Sequence, residues 1–466
     1  MRFPKLSASR FTAIAILVIA VFQLNTLRTQ DDFIGQKRWK QQGVIKWDVQ
    51  EYYMYLPATF IYHDISMSYL DTLKGPLRDH YWAAKSEKGR WTGRFSIGMA
   101  VAYAPFFLLS DRIANIAGAP RDGFSQPYQF GIYVSGFFYS LIGFLCLGLS
   151  LRRFFGDLVS ALTVLCVGLG TNLYYYSTTE GAMTHAVLFC LFSIFMYCTI
   201  RWHGSPKLKF LVPLALVFGL AVLIRPTTIL VVLVFFLYGV GGSQSLRQKI
   251  KFLRNQGWQF FIILALLAIM ALPQMFYWQY QTGKLVYYSY TGENFFFTHP
   301  RIWKGLFSYR KGWLLYTPMM ALAFIGFIFL RKYAKELFLP ILIFALVNIY
   351  VVLSWWCWWY GGGFGLRAFI ESYAFLAFPL AALWKWALQK GWITGTILGV
   401  LAIFFIRLNL FQSAQYREGM LHWDSMSKKM YWQTFLNRGY VKDADKILDP
   451  PDYDAAKKGF SEEKRK

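Results

Sequence analysis

Charge is scarce in this chain, and acid is scarcer than base. Only 16% of the 466 residues are charged, where a soluble domain usually has about a quarter. Cysteine is rare as well. The five, Cys146, Cys166, Cys190, Cys198 and Cys357, are odd in number and form no CxxC. They therefore read as small buried apolar residues, not as a disulfide frame or a metal site. No HExxH motif or Cys/His cluster is present, so no zinc site is expected. Walker and dinucleotide fingerprints are missing too. Alternating ten-residue strand patterns are absent, which argues against an outer-membrane barrel. No internal repeat is evident, which weakens the case for a repeat-built secondary transporter.

What the chain has in quantity is apolar and aromatic surface. Hydrophobic residues make up 56% and aromatics 20%, with a mean hydropathy of +0.35. A water-soluble fold could not hide this much, so the expected class is an all-α polytopic membrane protein. The 44 Phe, 30 Tyr and 18 Trp fit a lipid-facing exterior with aromatic belts. A net charge of +25 could suggest nucleic acid. Many of the basic residues lie in short stretches between apolar runs, where the positive-inside rule and anionic headgroups account for them, so no nucleic-acid partner is expected.

Residues 1–10 carry Arg2, Lys5 and Arg10, and an apolar run follows from Phe11 to about Leu27. No small-x-small cleavage site comes after it, so it reads as an uncleaved first span with a cytoplasmic N-terminus. Segment 95–110, FSIGMAVAYAPFFLLS, has sixteen residues and a proline, where a span needs about 20. Laid in the outer interface, it puts Arg152–Arg153, Arg201–Lys209, Arg247–Arg254, Arg331–Lys335 and Lys385–Lys390 all on the cytoplasmic side. About eleven spans result: 11–27, 127–151, 157–175, 183–201, 210–224, 226–241, 258–277, 313–330, 337–355, 368–386 and 392–411. Arg225-Pro226 must make either a tight outer turn or a kink in one broken helix.

In this topology residues 1–411 form a transmembrane domain whose long outer loop, 28–126, holds interfacial helices. The polar tail, 412–466, is extracytoplasmic. Its first part is expected to pack over the outer face and its last fifteen or so residues to be mobile. The outer side receives the long aromatic connections, so the active site is expected there.

The outer loop carries KWDVQEYYMYLPA at 46–58. Asp48 and Glu51 stand three apart and share one face if the stretch is helical. Trp47, Tyr52, Tyr53 and Tyr55 around them suit a membrane–water boundary. One carboxylate, Asp48 before Glu51, is the candidate catalytic base; the alternative is two solvated loop acids. Asp31 and Asp32 read as membrane-edge residues. Arg225, in GLAVLIRPTTIL, is a guanidinium between apolar runs. It should pair with a lipid phosphate or snorkel to the interface. Loop 278–312 holds Arg301, Lys304, Arg310 and Lys311 on the side that the positive-inside rule disfavours, which asks for an anionic partner. Glu293 and His299 share that loop. Loop 355–372, WWCWWYGGGFGLRAFIES, joins four tryptophans to a glycine triplet, Arg367 and Glu371. Its glycines let backbone N–H groups approach a ligand, or simply make a tight interfacial turn. His185 lies near Glu180 at the outer end of a span, where a packing role competes with ligand binding.

Together these stretches resemble the C-type (GT-C fold), polyprenol-dependent integral membrane glycosyltransferases, of the protein O-mannosyltransferase-like and aminoarabinose-transferase-like kinds. The acid after the first span in D-x-x-E-Y-Y-x-Y, the Pro-containing segment 95–110, RRFFG, GLAVLIRPT, GLFSYRKGWLLYTP and WWYGGGFGLR carry the resemblance across most of residues 1–411. It departs where the family's Asp-Glu pair is here Asp48-Val49. The resemblance implies an inverting hexosyl- or pentosyltransferase in the cell envelope, of the bacterial inner membrane. It would move a sugar from a polyprenyl-phosphate donor to an acceptor glycan, lipid or protein at the extracytoplasmic face. Asp48, or Glu51, would take the acceptor proton, and Arg225, Arg310, Lys311 and Arg367 would hold the lipid phosphate. His185, Glu293 and Tyr52 are further candidates. The scheme requires no metal, although Asp48 with Glu51 could hold one divalent cation. The rival readings are a flippase or transporter of lipid-linked sugar and a non-catalytic membrane assembly protein.

Overall fold

The computed structural model describes residues 10–29, 43–75, 78 and 83–463. Asp31 and Asp32, like Arg2 and Lys5, lie outside the described residues. The described chain is helical nearly throughout. Among the described residues, strand is confined to Ala84–Lys85 and Trp91–Thr92, an antiparallel pair with Ala84 opposite Thr92. Six helices among the described residues are long and apolar enough to cross a membrane: Arg10–Thr29, Gln126–Phe155, Thr184–Gly204, Gly257–Thr282, Lys335–Leu353 and Trp392–Arg417. Asp157–Gly170, Leu208–Ile224 and Pro226–Leu237 are shorter apolar helices. This is an all-α polytopic membrane architecture.

Several expected spans differ in outline. The run from 157 ends as a helix at Gly170, turns through an extended Thr171, and resumes at Leu173–Ser177. The run from 313 is interrupted at Thr317-Pro318, between Trp313–Tyr316 and Met319–Tyr333. The run from 368 starts as a 3-10 turn, Arg367–Ser372, before the helix Tyr373–Lys390. In each case the break falls on polar or proline-bearing sequence, which apolar run length cannot register. Segment 95–110 lies in a longer helix, Gly98–Ile116, which continues through Asp111 and Arg112. The last long helix runs on to Arg417, past the expected boundary at 411.

Thr184–Gly204 is the central helix, with 83% of its apolar window buried, against 11% for Gly257–Thr282 and 22% for Arg10–Thr29. The peripheral helices expose side chains such as Phe261, Leu264 and Leu17, as a lipid-facing surface requires. Some polar side chains inside the bundle bond across helices. Gln23 Nε2 donates to Ser177 Oγ at 2.6 Å, and Asn409 Nδ2 to the carbonyls of Leu169 and Thr171 at 2.8 Å. Each such interhelical bond contributes about 0.6 kcal/mol on average. Helix Met319–Tyr333 touches Tyr373–Lys390 backbone to backbone at Gly326, where an added Cβ would sit 1.9 Å from the Pro379 carbonyl oxygen.

The contacts choose the turn at Arg225-Pro226. Arg225 Nη2 donates to Thr184 Oγ1 at 3.1 Å, at the start of the central helix. Thirteen residues on, Tyr238 stacks on His203 at 4.5 Å, at that helix's end. The chain therefore climbs along Leu208–Ile224, reverses, and descends through Pro226–Leu237.

The bundle has two unlike ends. Tyr133, near the start of Gln126–Phe155, lines a cavity, while Phe154 near its end accepts from Lys385 Nζ at 3.2 Å. At 1.5 Å per residue these levels are about 30 Å apart. The Phe154 level also holds Arg152, 3.3 Å from Asp157, and the Asp157 carboxylate accepts the N–H of Phe11 at 2.8 Å.

Candidate functional site

The short helix Asp48–Tyr53 follows Trp47, whose φ of 54° is left-handed. With ψ at −132° this is a sparsely populated conformation for an L-residue, and holding it costs about 1–3 kcal/mol. The turn puts Asp48 at the first helical position, facing a cavity of about 900 Å³. Segments far apart in the chain line that cavity: 43–49, Arg94, 176–183, Glu293, 356–363, Arg367, Tyr416, Trp423, Tyr453 and Lys457. All but Tyr133 and Met183 come from the connections and tail assigned to the outer face. Across the cavity Arg367 Nη2 stands 3.5 Å from Asp48 Oδ2. The side chains are 18% and 30% exposed, so the pair is open to a ligand. Burial opposes the Arg367 charge, but Asp48 and the rings of Tyr176 and Tyr52 outweigh it and raise its pKa further.

A second pair shares the cavity. Arg94 Nη1 lies 3.3 Å from Glu293 Oε1, and the Trp356 indole donates to Glu293 Oε2 at 3.0 Å. The Arg94 amide donates to Glu51 Oε2 at 2.7 Å. Glu51 is thus buried behind Asp48 and does not line the cavity. Asp48 is directed toward Arg367 and Glu51 toward a main-chain amide. Among the described residues no group of three or more His, Cys, Asp or Glu could hold a metal. Tyr52 is buried against Phe95, ring centroids 4.2 Å apart, and burial followed by the Asp48 charge pushes its phenol well up.

The glycine triplet is the floor. Tyr360 and Gly361 are both left-handed, φ 55° and 62°, so the chain reverses sharply there. An added Cβ at Gly363 would sit 2.5 Å from the Tyr176 hydroxyl oxygen. That hydroxyl accepts the Phe364 N–H at 2.9 Å, and Asn172 Nδ2 donates to the Phe364 carbonyl at 3.1 Å. Lys311 Nζ donates to the Gly363 carbonyl from behind and to the Trp423 carbonyl at 2.5 Å. Burial, then Arg367, lowers its pKa to about 7.

The other sequence candidates are distributed as follows. Arg225 pairs with Glu371, whose other oxygen lies 3.6 Å from His185 Nδ1. This buried cluster does not line the cavity, although Arg225 is within electrostatic reach of Tyr52 and Arg367. Arg310 donates to the Asp424 carbonyl at 2.8 Å and to Asp449 at 3.1 Å, so it holds the tail. Asp48, Glu293 and Arg367 meet in the cavity; Glu51, Tyr52, His185, Arg225, Arg310 and Lys311 stand behind its walls.

Sequence reading passed over Arg94, Tyr176, Trp423, Tyr453 and Lys457 as site residues. The signal for Arg94 was an arginine set among aromatics in RWTGRF; the tail residues gave none, because only packing brings them back. The tail end is also held, where mobility was expected. Asp452 caps the helix Tyr453–Lys457, and Lys304 Nζ bonds Glu462 at 2.9 Å and Glu463 at 2.8 Å.

Residues 124–277 match the family described as dolichyl-phosphate-mannose-protein mannosyltransferase. The matched stretch supplies Tyr133 and the 176–183 wall of the cavity, together with His185 and Arg225. No curated protein was found to match the chain.

Proposed function

We propose that this chain, which carries a mannosyltransferase-like domain of the C-type polyprenol-dependent glycosyltransferases, is an inverting transferase acting at the extracytoplasmic face of the membrane. The observation that carries the reading is the Asp48–Arg367 pair, 319 residues apart in sequence, facing one cavity. A single inverting displacement needs one base and one cationic cradle. The acceptor hydroxyl oxygen attacks the anomeric carbon. The bond from that carbon to the phosphate oxygen breaks, the proton passes to the Asp48 carboxylate, and polyprenyl phosphate leaves on Arg367. A guanidinium suits a phosphate because its planar fork donates two parallel bonds and stays charged.

In this reading Glu51 is a positioning residue that fixes the Arg94 main chain, and Arg225 adds positive potential from behind. Arg310 and Lys311 serve the phosphate site indirectly, by clamping the tail and the glycine floor. No step passes through a metal ion. The topology that suits the reading has about eleven spans, a cytoplasmic N-terminus, and the cavity and tail outside, in a bacterial inner membrane. The donor is a polyprenyl-phosphate sugar, and the acceptor a glycan, lipid or protein.

The test is reconstitution of the purified protein in vesicles with a panel of polyprenyl-phosphate sugars and a cell-envelope acceptor fraction. Sugar transfer by the wild type and its loss in Asp48→Asn, with the variant still folded, is the expected result. Movement of the lipid-linked sugar across the bilayer with no transferred product would overturn it in favour of a flippase.

A further inference from the structure

The tail contributes a wall to the cavity, and the way that wall is held is unusual. Trp423 is 52% exposed although it lines the cavity. Its main chain, by contrast, is pinned. The Trp423 carbonyl accepts from Lys311 and the next carbonyl, of Asp424, accepts from Arg310 at 2.8 Å. The Asp424 carboxylate is buried and accepts the Tyr453 hydroxyl at 2.8 Å and the Ser425 hydroxyl at 2.5 Å. Two buried cations and a buried acid thus fix the backbone of a residue whose indole is left in solvent. Packing alone does not explain an immobilised, half-exposed tryptophan, because its burial contributes little.

The indole lies beside the glycine floor. An added Cβ at Gly362 would be 3.2 Å from Trp423 Cε3, and one at Gly363 would be 3.2 Å from Arg367 Cδ. The indole and the guanidinium therefore flank consecutive residues, whose Cα atoms are about 3.8 Å apart. Gly362 and Gly363 add no side chain of their own between them, and the Tyr176 hydroxyl lies against Gly363. A sugar phosphate has the matching form: an anion, one bridging oxygen, then a ring whose C–H face is apolar and whose rim is polar. A phosphate on Arg367 leaves that ring over the glycines and within reach of the indole face.

We propose that Trp423 is the stacking platform for the pyranosyl or furanosyl ring of the donor, and so a donor-binding residue supplied by the C-terminal tail. This rests on the transferase reading above, since it takes the phosphate on Arg367 to be that of a lipid-linked sugar. Aromatic faces suit such a ring because their negative quadrupole meets the weakly positive C–H groups, and stacking tolerates ring identity more than hydrogen bonding does.

The experiment compares binding of polyprenyl phosphate with that of polyprenyl phosphates bearing hexoses or pentoses, on the full-length protein in lipid nanodiscs. The variants are Trp423→Ala, Trp423→Phe and, as control, Trp432→Ala, a tail residue equally exposed but outside the cavity lining. The wild type should bind at least one sugar-bearing lipid more tightly than the bare lipid. Trp423→Ala should lose that increment by about fivefold to tenfold, the scale of one ring contact, with bare-lipid binding unchanged. Trp423→Phe should keep most of it and Trp432→Ala all of it. An unchanged increment in Trp423→Ala overturns the assignment, as does an equal fall for the bare lipid, which would make the indole a structural or lipid-tail contact. A wild type that binds neither lipid removes the transferase reading itself, whereas a wild type that transfers sugar while Trp423→Ala binds as it does removes only the stacking role.

Discussion

Two acid–guanidinium pairs lie near each other in this protein, and they differ in almost every respect except chemistry. Asp48 and Arg367 touch by one contact of 3.5 Å, and the acid is 30% exposed beside a large cavity. Glu371 and Arg225 are directly bonded, and His185 and Thr184 complete the cluster; the acid is only 6% exposed, although Arg225, at 23%, is as open as Arg367 at 18%, so the contrast lies in the acids. A buried pair gains from neighbours that satisfy its remaining polar atoms and is costly to break. A loosely held, half-open pair can exchange its partner for a substrate. In the transferase reading proposed above, the first pair is the one available for chemistry, while the second ties the 3-10 turn Arg367–Ser372 to Arg225.

The comparison can be broken by substitution. Asp48→Asn should lower the transfer rate by about 10²–10⁴-fold, the contribution of a positioned general base, while thermal unfolding is unchanged. Full transfer by that variant would take away the functional half of the contrast. Glu371→Gln should act the other way. It removes the charged, buried acid from a guanidinium that is 23% exposed, which should cost about 1.5–3 kcal/mol, the scale of a hydrogen bond to a charged group, seen as a lower midpoint of unfolding in detergent. An unaltered midpoint would mean that the buried cluster is not structural. Arg367→Lys keeps the charge and loses the fork. It should lower kcat/KM for the donor by about tenfold, with kcat falling as well because the phosphate charge develops as the bond breaks, in a steady-state assay with the donor varied.

The smallest effect concerns the ammonium beneath the glycine floor. Burial and Arg367 lower the Lys311 pKa to about 7, against about 10.4 for the unfolded chain. Between those values the unfolded state binds more protons, so stability should rise as pH rises from about 7 toward 10. Lys311→Met should flatten that slope, as followed by thermal unfolding across the pH range. An identical slope in the variant would assign the pH dependence elsewhere.

Much of the architecture was legible in the chain. The run Phe11–Leu27 became Arg10–Thr29, and Leu208–Ile224 stops beside the Arg-Pro step where the sequence placed a turn or kink. Helix ends near 171, 317 and 367 were misjudged, because Asn172, Thr317-Pro318 and Glu371 sit in otherwise apolar runs; Asn172 bonds Phe364 and Tyr373, and Glu371 bonds Arg225, both far away in the chain. Of the site, Asp48, Glu293 and Arg367 were named from residue type and loop context. Lys311 and Arg310 were named too, as cations in a basic loop. Sequence could not tell that their charges are spent on the carbonyls of Gly363, Trp423 and Asp424.

Run length against bilayer thickness is a local quantity, and so is the type of residue at each loop position. The sequence by itself therefore determined that this is a helical membrane protein with acids and arginines gathered in its long connections. Which carboxylate meets which guanidinium depends on contacts between segments hundreds of residues apart. Only the packing of the bundle decided that Arg367 faces Asp48, that Arg225 is closed off by Glu371, and that the tail returns to wall the cavity with Trp423.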